Sequence, residues 1–99
     1  MTRIDIINEV EKAFEVRYSW SKPYGIYGTM LTECGLYYKR KNLKVRRPKN
    51  PLAWLQLGFF TADDKVISAN ISFNRNGERH EFEIEKVEDI AEIIKKVVS

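Results

Sequence analysis

From residue 53 to residue 84 this chain alternates with a period of two in three successive runs, and no other feature limits its possible folds as strongly. In LAWLQLGFFT, Ala53, Leu55, Leu57 and Phe59 project to one side, and Trp54, Gln56, Gly58 and Phe60 to the other. VISANISF separates Ile67, Ala69, Ile71 and Phe73 from Val66, Ser68, Asn70 and Ser72, and HEFEI sets His80, Phe82 and Ile84 against Glu81, Glu83 and Glu85. Each run reads as a strand with one dry face. The connections TADDK and NRNGE are short and rich in turn formers, so the three strands are expected to join as antiparallel hairpins.

The period changes at both ends. Ile4, Ile7, Val10, Phe14 and Tyr18, widened by Ile6 and Ala13, predict an amphipathic helix over residues 3–17 with Thr2 as its N-cap. Val87, Ile90, Ile94 and Val98 predict a C-terminal helix, with Glu88 and Asp89 in its first turn and Lys95 and Lys96 near its end, matching the helix dipole. Upstream of residue 53, LYYKR and LKVRR read as strand with a turn or bulge near Asn42, and PKNP links them to the next strand. YGIYGTML is a further candidate strand before a turn at TECG. The fold class expected is α+β: a single domain, residues 1–99, in which an antiparallel meander of four to five strands is covered on one face by the N- and C-terminal helices.

That order invites comparison with the double-stranded RNA-binding domain, which also runs helix, three strands, helix. That family places a lysine cluster at the start of its second helix, where this chain reads VEDIAE. The charge has the wrong sign, and no family is assigned.

Charge is the second strong signal. The formal net charge is only +3, yet residues 34–62 contain seven Lys and Arg and no Asp or Glu, so the rest of the chain is net negative. Localised charge steers charged partners. The cations Lys39, Arg40, Lys41, Lys44, Arg46, Arg47 and Lys49 crowd into YYKRKNLKVRRPKNP, the composition that a phosphate backbone requires. Read as a strand, the run puts Lys44 and Arg46 on one side and Leu43, Val45 and Arg47 on the other. A plainer explanation is an edge strand loaded with lysine against sheet-to-sheet aggregation.

Tyr37 and Tyr38 adjoin the run, while Trp54 and Phe60 fall on the face away from the helices, where bases could stack on them. A second subunit, or the loop carrying Trp20, Tyr24 and Tyr27, could cover the same aromatics. Because Glu81, Glu83 and Glu85 share that face, it is expected to grade from basic through aromatic to acidic, which also suits a symmetric dimer.

Catalytic constellations are sparse. The lone His80 alternates with Phe82 and Ile84 and reads as a packing residue, Cys34 has no partner in sequence, and Asp63, Asp64 and Lys65 match a D-x-K nuclease fragment only within a hairpin turn. No Cys/His zinc spacing or phosphate-cradling glycine loop occurs, and no metal, cofactor or small-molecule substrate is expected. A single cysteine, an N-terminus (TRIDIINEVEKAF) unlike a signal peptide and no apolar stretch near the roughly 20 residues that span a bilayer give the expectation of a cytoplasmic protein without a membrane partner. One glutamine, one histidine and abundant Lys, Glu and Ile resemble the bias of hyperthermophile proteins.

The sequence therefore favours a small non-catalytic protein that holds DNA or RNA by the backbone through Lys39, Arg40, Lys41, Lys44, Arg46, Arg47 and Lys49, with Tyr38 and Trp54 beside them, and that forms a homodimer. The alternative is a dimeric interaction or inhibitor module for an acidic protein surface.

Overall fold

The computed structural model describes residues 1–99. Seven elements follow in order: α1 (Arg3–Glu11), β1 (Phe14–Pro23), β2 (Thr29–Tyr38), β3 (Ala53–Phe60), β4 (Val66–Arg75), β5 (Glu78–Glu83) and α2 (Asp89–Val98). The strands form one antiparallel sheet in the order β1-β2-β3-β4-β5, so the α+β meander expected from the sequence is what the chain builds.

Its core follows from the alternation in β3. Ala53, Leu55 and Leu57 are fully buried and Phe59 nearly so. Pairing carries that row across the sheet, with Leu55 opposite Cys34 on β2 and Ile71 on β4, and Ile71 opposite Phe82 on β5. Ile6 and Val10 of α1 and Ile90, Ile93 and Val97 of α2 join the same buried cluster, so both helices cover one face. The dry stripe of α2 is centred on Ile90, Ile93 and Val97, one position away from the expected stripe, and Val98 stays exposed. No helix is long and apolar enough to cross a membrane.

Three sequence expectations need correction. First, α1 ends at Glu11, and residues 14–17 belong to β1. The amides of Lys12 and Ala13 close the last turn onto the Glu9 and Val10 carbonyls, after which Phe14 and Val16 alternate with Glu15 and Arg17 and pair with Tyr38 and Leu36. Second, TECG is no turn: it lies inside β2, with Cys34 on the core face and Gly35 opposite Trp54. Third, LKVRR forms no strand, because residues 39–52 are an irregular connection between β2 and β3. Leu43 and Val45 alternate as a strand would but have nothing to bury against, and they remain 83% and 54% exposed.

Local chemistry explains the joints. Thr2 and Asp5 form a capping box: the Asp5 amide donates to Thr2 Oγ1 at 3.3 Å and the Thr2 amide to Asp5 Oδ2 at 2.8 Å. The Thr2 amide holds the Asp5 carboxyl below the usual carboxylate range. The β4–β5 hairpin turns on Asn76 and Gly77, both at positive φ, the Asn-Gly turn that matches strand twist. In β1 the register slips between Tyr18 and Trp20, which moves Trp20 from the core side to the outer face, opposite Glu33.

The outer face keeps a close-fitting lid at one end. Tyr24, from the β1–β2 loop, lies directly over Gly58, and its hydroxyl is 2.9 Å from Ser68 Oγ. A Cβ at Gly58 would fall inside the Tyr24 ring and 2.7 Å from Ser68 Oγ. Gly58→Ala is therefore expected to cost about 1–3 kcal/mol by displacing the ring, and Tyr24→Phe alone about 0.5–1.5 kcal/mol through the lost hydrogen bond. With the ring already displaced, Tyr24→Phe should cost nothing further in the Gly58→Ala background. Urea denaturation of both single variants and the double variant checks this, and additive costs would show that the ring does not depend on the glycine.

Candidate functional site

The connection between β2 and β3 carries all seven cations of the basic run, and it is held in place at several points. Arg40 does most of the holding. Its Nε donates to Glu15 Oε1 at 2.9 Å, its amide donates to the same oxygen at 3.2 Å, and its Nη1 donates to the Val45 carbonyl at 3.3 Å. Both side chains of this pair are mostly shielded from solvent. Asn42 then reverses the chain: its Oδ1 accepts from the Lys44 amide at 2.8 Å and its carbonyl from the Val45 amide at 3.0 Å. This is the turn expected near that residue, set in a loop rather than a strand.

The far end is fastened to the sheet. The Arg47 guanidinium sits 5.2 Å from the centroid of the Tyr37 ring. That ring in turn lies along the strand over Gly35, where a Cβ would meet Tyr37 Cε1 at 3.1 Å and Pro51 Cβ at 3.3 Å. The Leu52 amide donates to the Leu36 carbonyl at 2.8 Å, returning the chain to the sheet.

Between these anchors lies an open hollow of 480 Å³ lined by Arg17, Tyr37, Arg40, Leu43, Lys44, Val45, Arg46, Arg47, Pro48 and Lys49. Six of these ten residues are cationic and none is acidic. Arg40 is the one cation of the run joined to a carboxylate: Lys39, Lys41, Lys44, Arg46, Arg47 and Lys49 form no ion pair. Arg40 thus shapes the hollow while its charge is answered by Glu15.

The aromatics divide. Tyr38 stands opposite Phe14, on the edge of the helix-covered face, and is not brought together with the cations. Trp54 is half-buried on the outer face and belongs to the row Arg17, Gly35, Trp54, Ser72, Glu81, which crosses all five strands. Arg17 and Glu81 end that row, but the basic strand expected at one edge does not form, and Glu81 is paired with Arg79 at 3.6 Å. Tyr37, noted in the sequence beside the run, lines the hollow, whereas Arg17 was not singled out there and enters only once β1 is recognised as a strand paired with β2.

Other residues weighed for chemistry have visible structural partners. Asp63 Oδ1 accepts from the Lys65 amide at 3.0 Å, and Asp64, at φ 60°, lies 3.4 Å from an Arg3 guanidinium nitrogen. His80 stacks on Phe73 with centroids 5.2 Å apart. Burial beneath the helices pushes the Cys34 thiol above its ordinary range. Compared with known protein families, characterised proteins and solved structures, the chain matches none.

The Arg40 side chain, and then its amide, hold the Glu15 carboxyl below the usual carboxylate range. A depressed carboxylate contributes anchoring that is present above its unfolded value and lost as pH falls through its folded value. The loop is therefore expected to stay fastened through the mildly acidic range and to loosen only where Glu15 itself protonates. A carboxyl NMR titration should find Glu15 below the ordinary glutamate value, and the Arg40 amide should lose exchange protection at the same pH. Glu15→Gln should speed tryptic cleavage between residues 39 and 49 at neutral pH, and unchanged cleavage would show that the pair does not hold the loop.

Proposed function

We propose that this protein binds nucleic acid through its phosphate backbone, without catalysing its turnover, and that the hollow beneath residues 39–49 is the contact. The observation that carries the reading is the set of cations left without carboxylate partners in a loop anchored at both ends. The rival explanation, lysines guarding an edge strand, requires a strand, and residues 39–52 form none. Holding like charges together opposes folding unless an anion offsets them, and a polyphosphate backbone offers several at the required spacing. Arg46 and Arg47 can fork onto phosphate oxygens, with Lys44 and Lys49 acting as point charges. An intracellular setting fits both that ligand and the lone reduced cysteine.

Replacing Arg46 and Arg47 with Ala is expected to weaken binding about equally for all duplex sequences, since backbone contacts carry no base information. The magnitude of the log-log salt slope should fall by roughly 0.9 for each lost contact, about 1.8 for both. Glu81→Ala with Glu83→Ala should leave binding unchanged or slightly stronger. Wild-type affinity in the arginine double variant would remove the loop from the interface.

The opposite end of the sheet favours self-association as well. Ile26 is 68% exposed, Tyr27 entirely so and Phe60 44%, around a hollow of 770 Å³ that also involves Pro23 and Met30. Clustered apolar exposure of this kind is what a second copy of the chain would cover. A dimer contact at this end, rather than at Trp54, would leave the basic hollow open. Sedimentation is expected to give twice the chain mass of 11.7 kDa, falling to one chain on Tyr27→Ser with Phe60→Ser. A single-chain mass for the wild type at micromolar concentration would remove the dimer.

A further inference from the structure

The cations around the basic hollow come from two elements. Arg17 lines it from β1, and Lys44, Arg46, Arg47 and Lys49 line it from the β2–β3 connection, with Arg40 fixed by Glu15. Five of the six lining cations have no carboxylate partner, and no acidic side chain lines the hollow. The Arg47 guanidinium lies 5.2 Å from the Tyr37 ring centroid, and a guanidinium held on a ring face keeps its N–H edge for a ligand. Along the same stretch the amides of Arg46, Arg47 and Lys49 donate to no other main-chain group.

The hollow is concave, and its 480 Å³ falls in the range of about 300–1,000 Å³ in which proteins hold small ligands. A phosphate in mid-strand suits that shape poorly. It is a diester with a single negative charge, its two free oxygens face one side, and a sugar continues from each of the others. A phosphate at a strand end protrudes, presents three free oxygens and carries about −1.5 to −2 at neutral pH. Each further phosphate in a terminal chain adds charge without adding a sugar. We infer that the hollow seats the phosphorylated end of a nucleic-acid strand and takes a terminal triphosphate in preference to a monophosphate. Arg46 and Arg47 fork onto the terminal oxygens from the loop, and Arg17 meets them from the sheet. This rests on the backbone reading proposed above and deepens it: Lys39 and Lys41, which do not line the hollow, are left for the phosphates that follow the end.

The test compares anisotropy binding curves for one short RNA carrying a 5′-hydroxyl, a 5′-monophosphate or a 5′-triphosphate. Wild-type protein is expected to bind the triphosphate end at least about 10-fold more tightly than the hydroxyl end, with the monophosphate between them. Arg17→Ala should narrow that preference to less than about 3-fold while the hydroxyl-ended strand binds nearly as before, with folding checked by far-UV circular dichroism. Lys49→Ala gives the same comparison if Arg17→Ala does not fold. Equal wild-type affinity for the three ends, with salt-sensitive binding retained, would overturn the end site and leave the backbone contact standing. Binding of the triphosphate end with none of the hydroxyl-ended strand would keep the end site and remove the backbone contact. A free nucleoside triphosphate that binds as tightly as the triphosphate-ended strand would overturn the strand end as the ligand. Absence of salt-sensitive binding to every probe would remove both readings.

Discussion

Ala53, Leu55, Leu57 and Phe59 can stay dry only if β3 holds one register against both of its neighbours. A slip by one residue would turn Trp54, Gln56 and Phe60 into the core and expose four apolar side chains. Because β3 is the central strand, its register propagates: Cys34 and Ile71 are buried because they stand opposite Leu55, and the helices close over the row so formed. Whatever lies on the other parity is thereby committed to the outer face. There the glycines matter most. Gly35 and Gly58 each receive an aromatic ring, Tyr37 at one end and Tyr24 at the other, and the sheet between them offers Trp54.

The early end of α1 has an equally large consequence. Had the helix continued to residue 17, Glu15 and Arg17 would not stand on an outward strand face beside the β2–β3 connection. Instead Glu15 fixes Arg40, and through it the start of the loop, while Arg17 joins the loop's cations from the sheet. One carboxylate against one cation of the run orders the segment without neutralising it. The arrangement separates two tasks that a sequence count of positive charge merges: Arg40 organises, and its neighbours remain available.

The parts of the fold legible in the sequence were those where one periodicity had no competitor. β3, β4 and β5 alternate cleanly between turn residues, and the C-terminal pattern fits only a helix. The N-terminal third was ambiguous for a definite reason: Phe14 and Tyr18 lie four apart and equally two apart from Val16, so the same residues satisfy a helical stripe and a strand face. Gly35 read as a turn because its actual requirement, room for the Tyr37 ring, depends on a neighbouring side chain rather than on backbone angles. LKVRR alternated but lacked a partner to bury Leu43 and Val45, and periodicity alone cannot supply one. The cations of residues 39–49 and the neighbouring Tyr37 were therefore visible in the sequence, whereas the part played by Arg17 depended on the β1–β2 register.

The outer face raises the question of whether its acidic edge cancels the basic one. Arg17 and Glu81 end a row that spans four inter-strand spacings of about 4.8 Å, roughly 19 Å in all. The Debye length at physiological ionic strength is about 8 Å, so each edge is screened from the other and the loop presents its full positive field locally. At low salt the screening length grows past the width of the sheet, and the charges at the two edges then act together on any charged group near the outer face. Arg79, paired with Glu81 at 3.6 Å, already offsets part of the acidic end. The separation of the two ends follows from the pairing of Gly35 with Trp54 and of Ser72 with Glu81, which places small residues between the charges and leaves the indole as the tallest group between the two edges.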